Sequence, residues 1–134
     1  MNESFRRLLT LERFERADFD AALFDHEAHV YVAWLYLQSG TVADALARMS
    51  AALQRIAGAL GVPDKYHATV TWFYLLLIAE RHAQAPQQDW AAFRQANRDL
   101  FDRENSVLNR YYSAETLASD DARRRFVLPD RLAA

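Results

Sequence analysis

The chain has 134 residues, 51% of them hydrophobic and 25% charged, with a formal net charge of −2. That is the size and profile of one globular domain, and so small a net charge supplies no global basic field for nucleic acid or an anionic membrane. Cysteine is absent, which excludes disulfides, thiol catalysis, iron–sulfur clusters and thiolate-held zinc, and leaves His, Asp and Glu to hold any metal.

Residues 1–20 carry no apolar run behind their charges, so no secretory signal is expected, and 3–16 read as a short amphipathic helix or arm. The longest apolar stretches are about ten residues, half of what a bilayer span needs; the expected compartment is the cytoplasm. Three glycines, three prolines and no strand-like alternation predict helices with short links. A first long helix is expected over 19–38, stopped by Ser39 and Gly40. Thr41 caps a second, with Asp44 three residues on, running to Gly61. Val62 and Pro63 turn the corner, Asp64 caps a third helix to about residue 82, and Pro86 closes it. A fourth follows over 88–112, with a break expected, if anywhere, at 105–106. Ser113 and Ser119 start short turns before the tail.

Short loops make neighbouring helices antiparallel. The expected fold is therefore all-α: a single domain over 1–134, an up-down four-helix bundle with short C-terminal helical turns. The second helix has a simple stripe through Met49, Leu53, Ile56 and Leu60. The first and third are apolar on nearly every side over 30–37 and 70–79. Such a helix is either central or covered by another subunit. Two of them in so small a bundle point to a homodimer or larger homo-oligomer.

The four histidines carry the functional reading. His26 and His29 lie one turn apart on one helix face. Ala33 leaves room beside them, and Asp25 leans the same way as a third ligand or as an acceptor that orients an imidazole. At 100° per residue, His67 shares a face with Asp64, Thr71 and Tyr74. It falls in the first turn of its helix, where free N–H groups favour a neutral ring. On the fourth helix, Asn97 and Glu104 fall inside the buried stripe, and a carboxylate aimed at a core needs a partner. His82, near a helix end, reads as an exposed residue.

Together these residues predict a metal site of His26, His29 and His67, completed by Asp25 or Glu104. The ion is one transition metal: zinc for hydrolysis or hydration, iron or copper for oxidation. Glu104 or Tyr66 would move the proton, and Thr71, Tyr74 and Ala33 would line the pocket. Two other classes stay open. One is a metal-free small-molecule binding or carrier protein using the same polar groups over an apolar pocket. The other is an interaction module with structural histidines. No helix carries the basic face of a DNA-binding helix, and no membrane partner is expected.

The motifs Phe24-x-His26-x-x-His29, Lys65-Tyr66-His67-x-Thr69-x-Thr71, Tyr111-Tyr112-Ser113 and Phe126-Val127-x-Pro129-Asp130, taken together, resemble a group of small uncharacterised bacterial all-helical proteins. The resemblance covers most of the chain after Phe14. It implies that His26, His29, Tyr66, His67, Thr69 and Thr71 belong to one constellation. It also implies that the tail from Phe126 to Asp130 packs back on the bundle. It supplies no activity.

Overall fold

A computed structural model describes residues 1–131. The elements are α1 (Glu3–Leu8), α2 (Leu11–Glu15), α3 (His26–Leu37), α4 (Val42–Ala59), α5 (Ala68–Gln84), α6 (Trp90–Ala96), α7 (Ala114–Leu117) and α8 (Asp120–Arg124). Short 3-10 turns lie at Ala21–Leu23, Pro63–Lys65, Arg98–Phe101 and Val107–Arg110. No strand occurs among the described residues. The fold is an all-helical packed bundle.

Local chemistry sets most boundaries. Each α-helix begins with a side chain accepting a first-turn N–H, including Thr41 from Asp44 and Asp25 from Ala28. Gly40 and Gly61 follow the ends of α3 and α4 at φ +86° and +73°, where a Cβ is strained. These tight corners make α3, α4 and α5 an up-down-up layer. The first turns of α3 and α5 and the last turns of α4 therefore share one end.

α3 occupies the middle. It packs on α5, α4, α2 and the Arg98–Phe101 turn, and Ala28, Val30 to Trp34, Tyr36 and Leu37 are all buried. Its apolar circumference is thus largely buried within one chain. The N-terminal arm is two short helices laid across the layer. Phe14 of α2 is 0% exposed, stacked on Phe19 and Phe24 and edge-on to Tyr36. Burying such a ring contributes about 1.5–3 kcal/mol. Glu15 then ties α2 to both neighbours, accepting from the Tyr36 hydroxyl at 2.8 Å and from Arg48 at 3.0 and 3.1 Å.

The fourth helix is shorter than its sequence pattern suggests. α6 ends at Asn97, whose backbone leaves the helical region at φ −127°, ψ 44°. Asn97 is buried, as its place in the stripe predicts. Its amide donates to Phe93 O at 2.8 Å and its Oδ1 accepts from Arg81 at 3.0 Å. Arg81 also grips Asp99 with two bonds, at 3.0 and 2.8 Å. These bonds hold the chain in the Arg98–Phe101 turn instead of letting α6 continue.

The C-terminal segment straps the bundle. Phe126 stacks on Trp72 at 5.6 Å. The Tyr112 hydroxyl donates to Val127 O at 2.7 Å. Asp130 accepts from the Ser113 N–H and hydroxyl and from Thr116, bonds that pull its carboxyl down to about 2. The tail is packed on the bundle, as the motif resemblance implies. No helix among the described residues is long and apolar enough to cross a membrane.

Candidate functional site

The shared end of α3, α4 and α5 holds a cavity of about 550 Å³. Its apolar wall comes from Val30 and Ala33 of α3, Met49, Leu53 and Ile56 of α4, and Leu75 and Ile78 of α5. Its polar end gathers Asp25, His26, His29, Lys65, Tyr66, His67, Thr71, Tyr74 and Arg103. Of the residues expected as metal ligands, proton carriers or pocket lining, all but Glu104 border this one space, while Thr69 of the motif constellation does not. Helical spacing explains why. His26, His29 and Ala33 step along one face of α3, while Thr71 and Tyr74 continue the face that His67 begins on α5.

The imidazoles are held by backbone carbonyls, which fix their tautomers. His26 Nε2 donates to Leu100 O at 2.7 Å, and its ring stands edge-on to Tyr74 at 4.9 Å. Its Nδ1 has no partner among the described residues. His29 Nδ1 donates to Asp25 O at 2.9 Å, and its ring leans on Phe24 at 4.4 Å. Its Nε2 likewise has no partner there. Burial in the concave wall pushes the His29 imidazole below its usual range, and nearby His26 adds to the effect. His29 is nonetheless an exposed residue, and it lines the pocket.

His67 is different. Helix α5 begins three residues later than Asp64 capping requires, because Pro63–Lys65 forms a 3-10 turn and Tyr66 is extended. His67 is itself the N-cap, its Nδ1 accepting the Val70 N–H at 3.2 Å. Its Nε2 donates to Leu117 O at 2.8 Å. Both ring nitrogens are thereby engaged, so His67 brings no open lone pair to the pocket. Among the described residues, no group of three or more His, Asp or Glu side chains is arranged to hold a metal ion. Of the three cavity histidines, His26 and His29 are the ones with an open ring nitrogen.

Asp25 lines the cavity, but its carboxylate is already engaged. It accepts the Ala28 N–H at 2.9 Å and pairs with the Met1 ammonium at 3.1 Å. Partial burial works against its charge, yet those two partners outweigh it and hold the carboxyl below its usual range. Tyr74 hydrogen-bonds Ser106 at 3.0 Å, and burial raises its phenol. Tyr66 and Thr71 border the cavity with side-chain oxygens that have no partner among the described residues.

Glu104 requires a correction. It stands in an exposed turn, where its N–H and that of Asn105 donate to Asp102 Oδ1. With α6 ended at Ala96, the buried stripe no longer reaches position 104, and the carboxylate faces solvent. His82 departs from its reading as well: it is half-buried, and its Nδ1 is buried with no partner among the described residues. Thr69 belongs to the strap. Its hydroxyl donates to Arg125 O at 2.9 Å and accepts the Val127 N–H at 3.1 Å. Two cations at the cavity, Lys65 and Arg103, were given no role from the sequence. A charge in a polar run carries no mark of which way its loop folds.

No protein-family model matches the chain, and neither the curated proteins nor the solved structures include a significant match.

Proposed function

We propose that this protein binds a small molecule in the cavity between α3, α4 and α5. The apolar body of the ligand lies against Val30, Leu53 and Ile56. Its polar end meets His26 Nδ1, His29 Nε2 and the Tyr66 and Thr71 hydroxyls. What carries the reading is the pairing of an aliphatic hollow of about 550 Å³ with several polar groups at one end that lack partners among the described residues. A cavity within roughly 300–1,000 Å³, mostly apolar and with a few convergent polar groups, is the usual form of a small-molecule site. The test is mass spectrometry of organic extracts from purified, tag-free protein, set beside the same preparation of Ala33→Leu, which narrows the cavity. A stoichiometric small molecule carried by the wild type and lost in the variant supports the proposal. Equal loading in both sinks it.

A metal-dependent reading has one observation in its favour. His26 and His29 each anchor one ring nitrogen on a backbone carbonyl and leave the other open, the way metal-bound imidazoles are commonly oriented. Zinc, iron or copper on those two nitrogens would need its remaining donors from the ligand or from water. Metal content per chain after chelator-free purification separates the readings. About one transition-metal ion per chain, lost in His26→Ala/His29→Ala while helicity persists, favours the metalloprotein. Absence of metal even after reconstitution leaves the carrier.

A further inference from the structure

We propose that the ligand of this pocket is an organic anion, a small monocarboxylate with an apolar body, whose charge is met by Lys65 and Arg103. The inference rests on the small-molecule reading above and adds the chemical class. Most guanidinium groups on this protein sit on a carboxylate, as Arg48 does on Glu15, Arg81 on Asp99, Arg94 on Glu27 and Arg125 on Asp121. Lys65 and Arg103 pair with no acid among the described residues, and both border the cavity. Arg55, Arg98, Arg110, Arg124 and Arg131 also pair with no acid there but do not border it. The one carboxylate that does, Asp25, is already neutralised by the Met1 ammonium and the Ala28 N–H.

The backbone is mixed in sign here: α3 and α5 begin at this end with partial positive charge, and α4 ends there with partial negative charge. A lysine and an arginine thus stand at the border of an aliphatic hollow whose one lining carboxylate is already paired. The choice of carboxylate over phosphate follows from the first turns. A phosphate is usually cradled by free N–H groups at a helix start. Here the Ala28 N–H is taken by Asp25 and the Val70 N–H by His67. These caps take one first-turn donor from each helix, and the side chains supply a point ammonium and a guanidinium fork that matches a carboxylate's two oxygens.

The experiment is titration calorimetry with three probes sharing one alkyl chain: octanoate, octanol and octylammonium. Each is tested on the full wild-type chain and on Lys65→Gln/Arg103→Gln. Both substituted residues are exposed, so the double variant keeps its fold. Octanoate should bind wild type about tenfold or more tighter than the other two, and the variant should lose about that factor for octanoate alone. Octanol or octylammonium binding wild type as tightly as octanoate overturns the anion proposal and leaves the pocket reading standing. So does a variant with unchanged octanoate affinity. Failure of all three probes to bind overturns both.

Discussion

On one flank α3 meets aromatic rings; on the other it meets aliphatic chains and open space. Tyr31 and Trp34 pack against Trp90 and Phe93 of α6, with ring centroids from 4.9 to 6.4 Å apart. Val30 and Ala33 look across the cavity toward Met49, Leu53 and Ile56 of α4. The aromatic flank is covered by a helix of 7 residues, and the hollow one by a helix of 18. Helix length and hydrophobicity therefore do not decide whether a space fills. The size of the facing side chains does, since cores pack to crystal-like density only when the volumes match. The chain spends its large rings on one side and leaves small and flexible residues around the histidines.

The sharpest way to break this contrast is to delete one side chain from each flank. Phe93 is 0% exposed, and Phe93→Ala should cost about 3–5 kcal/mol of unfolding free energy. Leu53→Ala should cost less than about 2 kcal/mol, because Leu53 already borders empty volume and leaves little new cavity. Urea denaturation measures both, and equal costs would mean that the hollow flank is packed after all. His67→Ala should come next, at about 1–2 kcal/mol, from loss of a helix cap and of the donor to Leu117 O. The same loss in His67→Asn, whose side chain can cap, would deny the capping role.

Filling the hollow sharpens the contrast from the other side. Ala33→Leu should cost about 1 kcal/mol, the low end for overpacking, because Ala33 is only 2% exposed yet borders the cavity. It should lower octanoate affinity by about tenfold or more. The smallest effect is on pH. The folded protein holds His29 below its usual imidazole value, so the native state binds fewer protons there than the unfolded chain. The resulting stability is fully present above the unfolded value and declines as pH falls through the folded one. Proton NMR of the His29 ring should show a midpoint below that of a free imidazole, and His29→Gln should flatten the stability profile in that window. A normal midpoint would place the ring in open water.

Much of the site was legible because helical periodicity is local. The spacing of His26, His29 and Ala33, and of His67, Thr71 and Tyr74, puts those residues on common faces whatever the tertiary structure does. The aliphatic stripe of α4 was legible for the same reason. Glu104 was misplaced because one continuous helix was carried through Asn97, where an amide bonding to Phe93 O and to Arg81 ends it. That competition between side chain and backbone is what makes asparagine a poor interior helix residue. The role of His67 was hidden by a shift of three residues in the start of α5, enough to turn a candidate ligand into a cap. The emptiness between the walls has no sequence signature, since it depends on which side chains meet across helices.

The strap has a consequence in time. The first turn of α5 is finished by carbonyls that arrive much later in the chain, Leu117 O for His67 and Arg125 O for Thr69, separated by 50 and 56 residues. Long-range closures of this kind come late in folding because the intervening loop must first be ordered. A ribosome-bound chain ending before residue 117 would carry all three long helices and most of the cavity wall, yet lack the partners that hold the polar end in place. Arrested chains of increasing length should gain protease resistance in α5 only once residue 125 has emerged. On that schedule the polar end of the cavity is held in place only after residue 125 has joined the fold.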